Sequence, residues 1–290
     1  MNNWIISSKT NICGLIGDPV EHSMSPIMHN AAFRELGIDY LYLPFRVKKE
    51  NLLRAIEGMR ALNIKGLNVT IPHKVEVMKC LDKLDPLAEK IGAVNTIVND
   101  NGSLTGYNTD ASGFLQTLLE KGVNPEGKKV VILGAGGASR AISFILADKG
   151  AKLIILNRLL ELEWAEKLAD RISQVFNMEV PTKEMNKENL EEALNKADIL
   201  VNTTSVGMSP DISKTPIDAD LLKPGLIIFD IIYNPIKTRL VKEAEATDLE
   251  TIGGLDMLVW QGALAFEKWT GQKAPVELMK TEAIKILGKK

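Results

Sequence analysis

The sequence predicts an α/β protein of two domains, and three observations carry that prediction. Strand-like apolar runs alternate with helix-like stretches from one end of the chain to the other, the pattern of parallel sheets flanked by helices. A glycine cluster, Gly134-Ala135-Gly136-Gly137, stands between a buried-strand run and a helix start, the context of a phosphate-cradling turn. The length of 290 residues suits about two compact units better than one.

The first series opens with a strand at Ile12 to Ile16 and a helix from Pro26 to Leu36. Pro26 suits a first helical position and Ser25 an N-cap, because proline lacks the N–H that the first turn leaves unbonded and serine can accept one that it exposes. A strand at Tyr40 to Val47, a helix after Lys49 and a strand at Gly66 to Thr70 complete a βαβαβ unit. A short helix follows Lys74, another lies near Leu87, and two strands flank Asp100-Asn101-Gly102, residues that tolerate the positive φ of a tight turn.

The second series begins after the turn-like Asn124-Pro125-Glu126-Gly127. It reads as a buried strand at Val130 to Leu133, the glycine turn, a helix to Lys149 and a strand at Lys152 to Leu156. Further strands are expected at Asp198 to Asn202 and Leu226 to Ile231. From Asp256 to Trp269 the apolar residues Leu258, Val259, Leu264, Ala265 and Trp269 recur at helical spacing, and Gly271 sits where a helix stops.

Composition removes several function classes. Lys and Arg number 35 against 37 Asp and Glu, so a formal charge of −2 offers no basic field for nucleic acid or an anionic membrane, and any anion must be held locally. Cys13 and Cys80 form no C-x-x-C pair, which argues against a zinc cluster or disulfide framework and for a reducing cytoplasm. The longest apolar runs, such as Leu226-Ile227-Ile228-Phe229, fall far short of the roughly 20 residues of a membrane span, and Met1-Asn2-Asn3-Trp4 does not begin a leader. His22, His29 and His73 are scattered and read as turn or helix-surface residues; no metal site is expected.

The strand–glycine–helix sequence Val130 to Arg140 predicts a Rossmann-type dinucleotide-binding domain. Glycines let the backbone approach a pyrophosphate while the helix start presents its free N–H groups. Ser139 replaces the third glycine of G-x-G-x-x-G. About 20 residues on, where an acidic residue would bind the ribose hydroxyls of NAD, the strand ends in Asn157-Arg158. Asparagine does not repel a 2′-phosphate and arginine pairs with one, so NADP is expected over NAD. Glu161 and Glu163 pull the other way.

A second group of residues suits a small hydroxylated acid. Ser23 and Ser25 place two hydroxyls at a positive helix start, a carboxylate site. Asn68 and Thr70 are two apart on a strand and share a face. Lys74, Asn95 with Thr96, and Asp110 follow near element ends. Each also fits a plainer role as a solvated lysine, a turn asparagine or an aspartate capping the next helix.

The residues His22-Ser23-Met24-Ser25-Pro26, Gly66 to Lys74, Gly92-Ala93-Val94-Asn95-Thr96, Asn108-Thr109-Asp110, Gly134 to Ala138, Asn157-Arg158 and Met257-Leu258-Val259-Trp260-Gln261 occur in that order. In this respect the chain resembles the shikimate dehydrogenase (shikimate/quinate dehydrogenase) family along nearly its whole length. The resemblance implies an oxidoreductase acting on a CH–OH group, in reversible NADPH-dependent reduction of 3-dehydroshikimate to shikimate on the route to chorismate and the aromatic amino acids. It implies that Ser23 and Ser25 hold the substrate carboxylate, that Asn68, Thr70, Asn95, Asp110, Tyr233 and Gln261 contact the ring hydroxyls or carboxylate, and that Lys74 and Asp110 are the catalytic pair. On the cofactor side it implies Gly134, Ala135, Gly136, Gly137, Ala138, Asn157, Arg158, Leu159, Leu160, Glu161, Leu162, Ile231 and Gly254.

The family's cofactor loop commonly reads Asn-Arg-Thr with a basic residue three positions later, whereas this chain reads Asn157-Arg158-Leu159-Leu160-Glu161-Leu162-Glu163. That departure keeps open a quinate/shikimate dehydrogenase using NAD, and a catalytically silent NADP-binding regulator remains the alternative of a different class. A substrate domain over residues 1–108, completed by 256–290, and a nucleotide domain over 109–255 are expected, with catalysis in a cleft that closes before hydride transfer. Monomer and homodimer stay equally open.

Overall fold

The protein is described by a computed structural model over residues 6–288; residues 1–5 and 289–290, including the start on which the expectation about a leader rests, lie outside the described residues. The chain divides into two units, residues 1–109 with 259–290 and residues 110–258.

The first unit contains β1 (Asn11–Gly17), α1 (Ser25–Glu35), β2 (Tyr40–Arg46), α2 (Leu52–Ala61), β3 (Gly66–Val69), β4 (Lys83–Leu84), α3 (Pro86–Ile91), β5 (Thr96–Asp100) and β6 (Ser103–Tyr107). Its sheet runs β2-β1-β3-β5-β6-β4. β1 lies parallel between β2 and β3, as a βαβαβ unit requires. β5 then runs antiparallel to both β3 and β6, so this sheet is mixed. For β5 and β6 the physical reason is the turn at Asn101 and Gly102, whose φ values of 51° and 94° return the chain without a crossover helix. One face packs Ile16, Leu67 and Val69 against Ile56 and Met59 of α2.

The other face is closed by α1 and by two helices from the far end of the sequence, α9 (Gly254–Thr270) and α10 (Val276–Leu287), with α10 packed along α1. Phe33 of α1 stacks on Phe266 of α9 with centroids 5.2 Å apart. Gly66 makes the closest approach. A Cβ there would lie 2.0 Å from Trp269 Nε1, and in its absence that indole N–H donates to Ile97 O at 3.0 Å.

The second unit contains α4 (Thr109–Glu120), which starts at the boundary, then β7 (Lys129–Leu133), α5 (Gly137–Asp148), β8 (Lys152–Asn157), α6 (Leu162–Phe176), β9 (Thr182–Glu184), α7 (Lys187–Leu194), β10 (Ile199–Asn202), β11 (Ile227–Asp230), α8 (Arg239–Glu245) and β12 (Thr251–Gly253). The sheet order is β12-β11-β10-β7-β8-β9 and every pair is parallel. The chain starts in the middle, winds outward through β8 and β9, then crosses back to β10 on the other side of β7. That is the Rossmann strand order, with its switch point between β7 and β10. Val131, Leu133, Leu156, Leu200 and Ile228 form the core beneath the helices.

The sequence singles out no element between residues 156 and 198, where the structure places α6, β9 and α7. Among the described residues no helix is long and apolar enough to cross a membrane, and no group of three or more His, Cys, Asp or Glu side chains could hold a metal ion.

Candidate active site

In the first unit the polar residues are organised by a side chain that the motifs do not contain, Tyr42. It is 1% exposed on β2, and its backbone is held on both sides by Asn30 of α1, which accepts from Tyr42 N at 2.8 Å and donates to Tyr42 O at 2.9 Å. The Tyr42 hydroxyl donates to Asn68 Oδ1 at 2.7 Å, and Ser25 hydrogen-bonds the same phenol, whose pKa burial pushes well above its ordinary value. His29 stacks on the ring with centroids 4.5 Å apart. Neither His29 ring nitrogen has a hydrogen-bond partner, and burial pushes the imidazole pKa down to about 3, so His29 is a neutral aromatic plate.

From Asn68, 4% exposed, the network continues: its Nδ2 donates to Thr96 Oγ1 at 3.1 Å and to Asn95 O at 3.3 Å. Thr96 Oγ1 donates to Asn95 Oδ1 at 3.1 Å and lies 3.0 Å from Thr109 Oγ1. Asn95 Oδ1 also accepts from Thr109 N at 2.7 Å. Thus Ser25, Tyr42, Asn68, Thr96, Asn95 and Thr109 form one buried polar chain from α1 across three strands to the first residue of α4. Asp110, 8% exposed, is the next residue.

Ser25 is the first residue of α1 and only 6% exposed; Met24 stands at the N-cap, and Ser23 Oγ accepts from Ser25 N at 3.2 Å. Ser25 is therefore not the expected N-cap but the first helical residue, with Pro26 beside it in the first turn, and Met24 caps the helix without a side-chain hydrogen bond. Asp110 likewise does not cap α4 but lies inside its first turn, since the helix begins at Thr109. Thr70 sits one residue beyond β3, yet its N–H still donates to Ile16 O at 2.9 Å. The half-buried Lys74 accepts from Val94 N at its backbone oxygen, 2.7 Å, which ties the lysine segment to the strand approach carrying Asn95.

His73 is buried, with Nε2 2.6 Å from Val47 O. His29 and His73 are thus interior, and only His22 is an exposed turn residue. Gln261 lies half-buried on α9. Tyr233 belongs to the second unit, outside the buried chain; desolvation raises its phenol pKa.

In the second unit Gly134 adopts φ +98°, a conformation that favours glycine, and a Cβ there would lie 3.0 Å from Thr203 Oγ1. α5 begins at Gly137 with Gly136 at its N-cap and no side chain bonding its first N–H groups. Nothing lies within 4 Å of where a Cβ would stand on Gly136 or Gly137. Bare backbone at an uncapped helix start fits a dinucleotide pyrophosphate. Ala135 and Ala138 flank these glycines, half-buried. Ser139 is fully buried and donates from Oγ to Gly134 O at 2.7 Å, so its hydroxyl braces the turn at the position of the third glycine.

Asn157 ends β8, 3% exposed, and its Nδ2 donates to Glu161 O at 2.7 Å. Arg158 pairs with the Glu161 carboxylate through two nitrogens, Nη2 at 2.6 Å and Nε at 3.2 Å. Leu159 and Leu160 are exposed and Leu162 is half-buried. A Cβ on Gly254 would lie 2.0 Å from Ile231 O, so this glycine lets α9 start directly against the Ile231 backbone. Beside it Asp230 is buried, accepting from Asn202 Nδ2, Ile232 N and Thr238 Oγ1, and desolvation raises its pKa from 3.8 to about 6.

A Rossmann unit with an open glycine turn, joined to a mixed-sheet unit with a buried polar chain, defines an α/β oxidoreductase of the dinucleotide-dependent dehydrogenase class. Comparison with known proteins narrows this. "Shikimate dehydrogenase substrate binding domain" matches residues 15–97, "Shikimate / quinate 5-dehydrogenase" residues 117–252, and "Shikimate 5'-dehydrogenase C-terminal domain" residues 254–284. The chain is 50% identical over 270 residues to a shikimate dehydrogenase (NADP(+)) of Dehalococcoides mccartyi strain CBDB1, covering 93% of this chain and 94% of that one. A shikimate dehydrogenase crystal structure in complex with NADP+ superposes with a TM-score of 0.92 at 45% identity, covering 98% of each chain. A Listeria monocytogenes shikimate 5-dehydrogenase in complex with shikimate and NAD gives a TM-score of 0.91 at 43% identity, covering 95% of this chain and 97% of that one. The chain belongs to the shikimate dehydrogenase family.

Proposed function

We propose that the protein catalyses the reversible NADPH-dependent reduction of 3-dehydroshikimate to shikimate, on the route to chorismate and the aromatic amino acids. The observation that carries this reading is the buried chain from Ser25 through Tyr42, Asn68 and Thr96 to Asn95 and Thr109, which presets polar side chains for a ligand bearing a carboxylate and several hydroxyls. Ser23 and Ser25, at the start of α1, hold the carboxylate. Asn68, Thr70, Asn95, Tyr233 and Gln261 bind ring hydroxyls or the carboxylate, and the hydrogen bonds that fix Asn68 and Asn95 in advance reduce the entropy lost on binding.

When bound, the nicotinamide supplies or accepts the hydride. Lys74 Nζ gives a proton to the carbonyl oxygen in reduction and takes it back in oxidation, while Asp110 orients both the amine and the hydroxyl. Gly134 to Ala138 would hold the pyrophosphate at the first turn of α5, Asn157 to Leu162 the adenosine, and Ile231 and Gly254 the nicotinamide. The two cysteines are free thiols, which supports a reducing cytoplasm as the compartment.

The test is the change in nicotinamide absorbance with shikimate or quinate, each offered with NADP+ or NAD+. Reduction is expected with shikimate and NADP+ above the other combinations; no reduction in any of the four overturns the reading.

A further inference from the structure

Resting on the proposed dinucleotide site, we propose that Glu161 is a specificity-determining residue: its carboxylate occupies the Arg158 guanidinium in place of a 2′-phosphate and so narrows the preference for the phosphorylated cofactor over the unphosphorylated one.

The geometry is that of an internal competitor. Arg158 Nη2 and Nε meet the two carboxylate oxygens of Glu161 at 2.6 and 3.2 Å, the two-pronged arrangement in which a guanidinium also takes a phosphate monoester. The pairing is set by the backbone. Glu161 N donates to Arg158 O at 2.9 Å and Glu161 O accepts from Asn157 Nδ2 at 2.7 Å, so the turn Leu159–Glu161 folds the glutamate back over the arginine. Asn157 itself is buried at the end of β8, which anchors that turn to the sheet.

Of the two partners the arginine side chain is 68% exposed and the glutamate 27%, so the guanidinium remains reachable while one of its edges is taken. A 2′-phosphate must therefore displace the carboxylate or bind beside it. Displacement breaks the ion pair; binding beside it places a dianion within a Debye length of a fixed negative charge. A ribose with a free 2′-hydroxyl meets neither penalty. Glu163, two residues on, is a different case: it pairs with Lys167 at 2.5 Å on the exposed side of α6.

The experiment is calorimetric titration of the full-length protein with adenosine 2′,5′-bisphosphate and, separately, with ADP, for the native chain, Glu161→Gln and Glu163→Gln. Glu161→Gln is expected to tighten the bisphosphate about fivefold, the size of an exposed ion pair of about 1 kcal/mol, and to leave ADP within about twofold. Glu163→Gln removes the same charge from the same region and is expected to leave the ratio unchanged. Equal tightening of both nucleotides by Glu161→Gln, no tightening, or the same change in ratio for Glu163→Gln overturns the proposal. Failure of the native chain to bind either nucleotide instead overturns the dinucleotide site on which it rests. Circular dichroism of each variant checks that the substitution leaves the fold intact.

Discussion

The Tyr42 hydroxyl donates to Asn68 Oδ1 at 2.7 Å, so a residue of β2 holds in place a polar side chain on β3, with β1 between them. Tyr42→Phe keeps the ring stacked on His29 but leaves a buried amide oxygen without that donor. The expected cost is about 1–3 kcal/mol of stability, read by urea denaturation, with a raised KM for shikimate and a smaller change in kcat. Native stability with native KM would remove Tyr42 from the positioning role.

The proposed mechanism gives Lys74 the proton transfer at the reacting oxygen. Lys74→Ala is expected to lower kcat by about 10²- to 10⁴-fold with little change in KM, measured by steady-state kinetics. Turnover near that of the native protein would take Lys74 out of the mechanism.

Gly66 admits the Trp269 indole to the sheet, since a Cβ would lie 2.0 Å from its Nε1. Gly66→Ala must push the indole away from Ile97 O or strain the strand, and a loss of about 1–3 kcal/mol is expected by thermal or urea denaturation. An unchanged unfolding midpoint would show that the indole moves aside at no cost.

Asp230 carries a pH dependence of definite sign. Its folded pKa is raised from 3.8 to about 6 by burial, so the folded state holds this proton more tightly than the unfolded chain. Its contribution is complete below the unfolded value and is lost as pH rises through about 6. In Asp230→Asn that component disappears. The variant is expected to gain stability relative to the native protein, by an order of ~3 kcal/mol, between about pH 4 and about pH 7. Parallel stability profiles for the two proteins would contradict the raised pKa.

The first unit was the more legible in its elements, whereas in the second only the contiguous strand, glycine turn and helix from Val130 to Lys149 and the strands β8, β10 and β11 were, with α6, β9, α7, α8 and β12 unread. The turn at Asn101-Gly102 was legible because it too is contiguous with the strands it joins. Tyr42 was not: a tyrosine in the aromatic-rich Tyr40 to Phe45 run reads as core, and its partner lies 26 residues away. His29 and His73 were misplaced on the surface because what buries them, the rings of Tyr42 and Trp269 and the carbonyl of Val47, is distant in sequence. The start of α1 shows a local limit. Ser25 suits the cap in sequence, and only the helix geometry, with Met24 as N-cap in the α region, makes it the first helical residue, its N–H donating to Ser23 Oγ. The strands β9 and β12, three residues each, carry no pattern of their own and exist because β8 and β11 offer an edge.

The indole of Trp269 bonds Ile97, and its backbone oxygen accepts from the Tyr40 hydroxyl across 229 positions of sequence. During synthesis on the ribosome the sheet that carries Tyr42 and Asn68 emerges early, yet one of its apolar faces waits for α9 and α10. The nucleotide unit, contiguous over residues 110–258, can complete its own sheet in the meantime. The order of emergence makes the late helices a closing step in the assembly of the first unit.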